Sequence, residues 1–263
     1  MEINHLERLK AKIAGGGVGI GTVITLNDPT VSELAGDAGY DFTWIDMEHA
    51  PHTIESAMLH IMATRGTGCA PFVRVPWNEH GIIKPVLDLA PAAVIIPMVN
   101  DVEAAASAVA ACKYPLRGTR GCGVRRAARY GAMPFAEYLK TAETSPWVIV
   151  QIEHVDAVRE LDRILKVPGI DSVCVGPCDL SGSMGKLNQL VDPEVTQVLD
   201  EGCSKVRSAG MILGTAGGPL EVWLDRGVQW IALTSDTGSM FAQAQSILGH
   251  AKELAGKGTS HAG

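Results

Sequence analysis

No stretch of this sequence stays apolar long enough to cross a bilayer: the longest such run, Leu89–Val99, falls far short of the roughly 20 residues a span requires. Charged residues interrupt Met1–Lys12, so a secretory leader pattern is missing there. These two absences predict a cytoplasmic protein with no membrane partner. A basic surplus is lacking as well. The formal net charge is −7, which argues against nucleic acid as the main partner. The six cysteines (69, 112, 122, 174, 178 and 203) include no paired CxxC spacing, and several fall inside apolar strands or helices. Buried free thiols are therefore expected in preference to a zinc site or disulfides. Neither a GxGxxG after the first predicted strand nor a GxxxxGK[ST] occurs, which removes the main nucleotide signatures.

The chain does have enough apolar residues for a large core, being 46% hydrophobic and 19% charged over 263 residues. Residues 148–181 read as strand, helix, strand and turn. Val148–Glu153 and Ser172–Gly176 are short β-branched runs, and Val155–Lys166 between them has apolar residues at helical spacing. A strand-helix-strand unit requires parallel strands, so Glu153 and Asp179 emerge at the same, C-terminal edge of the sheet, where α/β folds place their chemistry. Further strands are predicted at Val18–Thr25, Phe42–Met47, Ala70–Val75, Ala93–Val99, Met211–Thr215 and Trp230–Thr234. Each is followed by a helix, and one longer insertion spans Arg117–Ser145. No Pro/Ser-rich linker divides the sequence. A single (β/α)8 TIM barrel over residues 1–263 is the economical α/β fold, because eight strands with helices outside bury both faces by closing on themselves. A doubly wound open sheet is the alternative.

In a barrel the polar residues at strand C-termini share one mouth. Asp46 and His49 end strand two, Arg74 ends strand three, and Glu153 and Asp179 follow strands five and six. Two carboxylates without a Cys/His ligand set suit a hard divalent cation such as Mg²⁺ or Mn²⁺. Arg74 offers a permanently charged donor fork for an oxyanion. His49 is the candidate whose ordinary pKa lies near neutrality, and Asp46 could orient it. Each also has a structural reading, as a helix cap, an ion-pair partner or a satisfied histidine.

The motifs DFTWIDMEHAP, RVPWNE, VIIPMV, VQIE and GPCDLS, in that order, resemble the HpcH/HpaI aldolase family over roughly Thr22 to Met240. The resemblance implies a class II aldolase that cleaves 4-hydroxy-2-oxo acids to pyruvate and an aldehyde, using a divalent metal (Mg²⁺, Mn²⁺ or Co²⁺). It also implies a homo-oligomer, a hexamer, whose last helix is exchanged between subunits. By resemblance Glu153 and Asp179 are metal ligands, Arg74 lies beside the pyruvate oxygens, and His49 with Asp46 forms the acid/base pair. Gln151 and the backbone of Gly176, Cys178 and Asp179 hold the pyruvyl carboxylate. Asp88 resembles an aspartate contributed across a subunit contact. The chemistry is consistent with these types: breaking C3–C4 leaves negative charge on the 2-oxo oxygen, which a Lewis acid and an arginine can stabilise. No lysine ends a predicted inner strand, which speaks against a Schiff-base aldolase. A malyl- or citramalyl-CoA-type lyase is the second enzyme reading, disfavoured by a chain without an added domain for CoA. A barrel that binds pyruvate-like ligands without catalysis is the third.

Several departures from the family pattern bear on the acceptor aldehyde. Strand one reads GTVIT where relatives often have tryptophan, which predicts a pocket reshaped around Thr22 and Val23. Cys178 stands where Ala or Ser is usual, and His154 where Thr or Ser is usual. The GTAGGP loop offers no side-chain selector. Between Glu103 and Glu137 there is no acidic residue, but Lys113, Arg117, Arg120, Arg125, Arg126 and Arg129 occur. Following strand four, this stretch is expected over the same mouth, where it would favour acidic acceptors.

Overall fold

A computed structural model describes residues 3–258; residues 1–2 and 259–263, which the single-barrel reading also took in, lie outside the description. Eight parallel strands close into a barrel in sequence order, with β1 pairing both β2 and β8. That closure excludes the open sheet. The strands are β1 (Gly19–Ile24), β2 (Phe42–Asp46), β3 (Ala70–Arg74), β4 (Ala93–Ile96), β5 (Trp147–Ile152), β6 (Ser172–Val175), β7 (Ile212–Ala216) and β8 (Trp230–Ser235). A leading helix α1 (Leu6–Ala14) puts Leu6, Leu9 and Ile13 into the apolar cluster of the barrel interior. Around the barrel run α2 (Thr30–Asp37), α3 (Ile54–Ala63), α4 (His80–Asp88), α5 (Val102–Cys112), α6 (Phe135–Ala142), α7 (Val155–Ile164), α8 (Pro177–Ser183), α9 (Pro193–Ser208), α10 (Leu220–Asp225) and α11 (Asp236–Gly258).

The strand period of two sorts the residues into two cores. Phe42, Trp44, Phe72, Trp147 and Trp230 face inward and pack on one another, with Phe42 and Phe72 stacked at 4.7 Å and Trp230 edge-on to both at 5.6 Å. Gly214 makes room for this filling, because a Cβ there would lie 1.8 Å from the Trp230 ring. The alternate residues, among them Ile45, Val73, Val94, Val150 and Val173, form the larger core between barrel and helices. Among the described residues no helix is long and apolar enough to cross a membrane.

Three local expectations need correction. Strand four stops at Ile96, not Val99, because Pro97 has no N–H for the ladder and Met98 takes a left-handed conformation, φ 54°. A short helix, α8, forms directly after β6, where the sequence reads as a turn, and α9 follows it. The 117–145 insertion contains α6 and a 3₁₀ segment at Arg126–Gly131. All six cysteines are free thiols; four are buried, whereas Cys122 and Cys178 are exposed.

Candidate active site

The C-terminal mouth of the barrel holds a cavity of about 210 Å³ lined by Val23, Trp44, His49, Arg74, Gln151, Cys174, Gly176, Cys178, Asp179 and Ala216. Arg74, the last residue of β3, lies across it. Its Nε donates to Asp46 Oδ1 at 2.9 Å, one terminal nitrogen donates to Oδ2 at 2.6 Å, and the other meets Glu48 Oε2 at 2.9 Å. The guanidinium also lies 5.1 Å from the ring centroid of Trp44. One planar fork thus spans two carboxylates, with both Asp46 oxygens engaged in bidentate fashion, a geometry an ammonium does not reproduce. Burial pushes Asp46 upward, but the hydrogen bonds and charge of Arg74, with the N–H groups of His49 and Glu48, hold it below the usual carboxylate range. Burial likewise acts against the charge on Arg74, and Asp46, Glu48 and Glu153 outweigh it.

Asp46 and His49 do not form the expected side-chain pair. The Asp46 carboxylate accepts from the backbone N–H of Glu48 (3.1 Å) and of His49 (3.3 Å), and Arg74 occupies both its oxygens. The His49 ring is largely exposed and has Glu48 Oε2 at 3.9 Å. Sequence reasoning misses Glu48. It lies inside the IDMEHAP motif between two candidate residues, and only the turn after β2 reveals that it points back to Arg74. Burial raises its pKa, with Asp46 and Asp179 contributing in the same direction against Arg74 and His49.

Glu153, just past β5, is 2% exposed. Its Oε1 accepts from the N–H of Met98 at 2.7 Å, and its Oε2 from the Gln151 side-chain amide at 2.5 Å. The left-handed backbone of Met98 is a conformation that side chains adopt at a cost, and here it aims an N–H at a site carboxylate. Burial raises Glu153 to about 7, with Glu48 and Asp179 adding like charge while Met98 and Arg74 act against them. Asp179 sits in the first turn of α8, carried there by the chain turn at Gly176 and Pro177. Among the described residues no three His, Cys, Asp or Glu side chains converge as a complete ligand set. Gln151 Oε1 is buried without a hydrogen-bond partner.

Chain direction places two other candidates away from this chain's mouth, and it overturns the expectation for the basic stretch. Asp88 ends α4, a helix running back from the mouth, so it lies at the N-terminal end of the barrel, where it meets Arg120 at 2.9 Å. It does not join its own chain's mouth. The basic stretch comes after α5, not β4 directly, and its charges are likewise at the far end: Arg117 pairs with Glu143, Lys113 donates to the Glu143 carbonyl at 2.9 Å, and Arg126 donates to the Leu89 carbonyl at 2.6 Å. The expectation that these arginines cover the mouth, and with it the inferred preference for acidic acceptors, therefore falls. Thr22 also turns away, toward a groove outside the barrel, which leaves Val23 at the mouth.

A closed (β/α)8 barrel whose C-terminal mouth gathers carboxylates around a buried arginine defines an enzyme of oxyanion chemistry. Residues 20–242 match the HpcH/HpaI aldolase/citrate lyase family, and the chain belongs to that family. Over 247 residues it is 33% identical to a hydroxypyruvate/pyruvate aldolase of Roseobacter denitrificans, covering 92% of this chain and 96% of that one. It is 35% identical over 245 residues to a 5-keto-4-deoxy-D-glucarate aldolase of Salmonella paratyphi C, covering 91% and 94%. The crystal structure of a family member from Burkholderia cenocepacia superimposes with a TM-score of 0.87 at 29% identity, covering 93% of this chain and 99% of that one. The protein is accordingly a carbon–carbon lyase, a class II aldolase.

Proposed function

We propose that this aldolase cleaves 4-hydroxy-2-oxo acids to pyruvate and an aldehyde at the described mouth, with Glu153 and Asp179 holding Mg²⁺, Mn²⁺ or Co²⁺. The observation that carries this reading is the placement of Glu153, a carboxylate 2% exposed with the like charges of Glu48 and Asp179 acting on it. Such a group calls for a cation. An oxygen-only pair suits a hard ion that takes its remaining donors from water and substrate. Gly176 fits the same picture: a Cβ there would come within 2.8 Å of the Glu153 Cβ and Oε2, so glycine is what lets the chain turn this close to the carboxylate. When bound, the cation supplies Lewis-acid stabilisation of the charge left on the 2-oxo oxygen.

The chain's own residues do the rest. Arg74, fixed by Asp46 and Glu48, adds permanent positive charge beside the developing enolate without having to reorganise. Gln151 and the backbone of Gly176, Cys178 and Asp179 receive the pyruvyl carboxylate. His49, exposed at the rim with Glu48 alongside, takes the proton from the 4-hydroxyl. Its replacement by alanine is expected to slow cleavage by about 10²-fold, the usual scale for a lost general base, while exchange of pyruvate methyl protons persists. Cleavage by His49→Ala at the wild-type rate between pH 6 and 8 would give the proton to another group. The reaction itself is tested by a pyruvate-release screen over 4-hydroxy-2-oxo acids with each of the three metals; no release from any of them would refute it.

The same reading makes the protein a cytoplasmic homo-oligomer, a hexamer, with α11 exchanged between neighbours and Asp88 offered to an adjoining mouth. Support comes from α11, which leaves Met240, Phe241, Ile247, Leu248 and Leu254 more than half exposed. Beside it an apolar groove of about 430 Å³, lined by Ile24, Leu26, Val31, Leu34 and Ala35, lies where an eighth outer helix would cover the barrel. Phe241→Asp/Leu248→Asp should reduce the assembly to smaller species in light scattering, and a wild type that is monomeric at micromolar concentration would exclude the exchange.

A further inference from the structure

Charges taken out of water need partners, and three other guanidiniums that are buried or nearly so have a carboxylate. Arg74 meets Asp46, Arg120 meets Asp88, and Arg226 meets Asp200 at 2.7 Å. Arg126 does not. It is 5% exposed, donates to the carbonyl of Leu89 at 2.6 Å, and forms no ion pair among the described residues. It opens onto a cavity of about 340 Å³ between the end of α3 and residues 126–132, whose lining includes Ile3, Arg65, Arg129 and Tyr130 and, among the described residues, no carboxylate. Neither Arg65 nor Arg129 has an acidic partner among the described residues. Burial, joined by the charge of Arg65 and opposed by Tyr130, pushes the Arg126 guanidinium below its ordinary value.

Three arginines around one concavity repel each other, and in a chain of net charge −7 their concentration here is not a general surplus. We infer that this cavity, at the N-terminal end of the barrel and away from the mouth, binds a compact oxyanion of the phosphate or dicarboxylate kind. Arg126 is the buried anchor. Its fork is held in place by the Leu89 carbonyl, so little side-chain freedom is lost on binding, and guanidinium geometry matches both anions. Arg65 and Arg129 close the rim, and the Tyr130 hydroxyl supplies a further donor. The site does not depend on the reaction at the mouth.

The test titrates the assembled, Mg²⁺-loaded enzyme with inorganic phosphate in a calorimeter, with pyruvate present to fill the mouth. Saturable binding is expected, with displacement by succinate but not by glycerol. Arg65→Ala/Arg129→Ala, which changes only the rim, should weaken it by about tenfold or more, the scale of one charge-assisted hydrogen bond, with pyruvate release from a neutral-acceptor substrate unchanged. Arg126→Met should remove it. Absence of binding at millimolar phosphate, or equal affinity in the rim variant, would overturn the inference. So would a rim variant that falls apart in size exclusion yet binds phosphate normally, since the arginines would then belong to a subunit contact.

Discussion

Replacing Glu153 or Asp179 with alanine is expected to abolish pyruvate release, by about 10³-fold or more, because a Lewis acid supplies several kcal/mol of transition-state stabilisation and each 1.4 kcal/mol is a tenfold rate. Either residue is half of the proposed two-carboxylate set, so titration with Mn²⁺ should show the loss of tight binding directly. The fold should survive, and Glu153 permits a sharper check. Its folded pKa of about 7 lies above the ordinary 4.5. Between those values the unfolded chain binds fewer protons at this group than the folded one, so metal-free protein loses stability as pH rises through that window. Glu153→Gln removes this slope. Metal-free Glu153→Gln should therefore melt above metal-free wild type at pH 8 and level with it near pH 4.5. Added cation should raise the wild type alone. Undiminished turnover after exhaustive metal removal, or equal stabilisation of the two proteins by added cation, would separate Glu153 from the metal.

The barrel is legible in the sequence because strand and helix periods alternate without interruption, and because each strand ends in recognisable polar chemistry. Asp46, Arg74, Gln151, Glu153 and Asp179 can be placed at one mouth from strand direction alone. Side-chain aim cannot. Asp46 and Glu48 are both consumed by Arg74, which depends on the turn after β2, and the Met98 N–H reaches Glu153 only because the chain leaves β4 through a left-handed residue. The basic stretch is misplaced for a different reason. Counting its position from strand four omits the reversal that α5 imposes, and a helix in a β/α unit returns the chain to the opposite end of the barrel. Asp88 obeys the same rule at the end of α4.

Arg74 is the residue whose loss should do most damage to chemistry and fold together. It compensates Asp46 and Glu48, both largely buried, and breaking a buried ion pair from one side costs roughly 3–5 kcal/mol because the remaining charge stays uncompensated. Arg74→Ala should therefore lower the urea midpoint, raise the pKa values of both carboxylates, and suppress aldol cleavage and pyruvate methyl exchange in parallel. The two activities fall together because the enolate is common to both, whereas His49→Ala should strike cleavage selectively. Arg74→Lys is the informative companion. An ammonium restores the positive charge but not the planar fork that engages both Asp46 oxygens and Glu48 at once, and it does not reproduce the flat packing on Trp44. Lysine should recover much of the stability and little of the rate, leaving turnover at least about 10²-fold down, as for loss of one preorganised donor. Exchange of pyruvate protons in D₂O, followed by NMR beside urea unfolding of the same samples, reads both quantities. A lysine variant with near wild-type exchange would reduce Arg74 to a structural counter-ion and move enolate stabilisation to the cation alone.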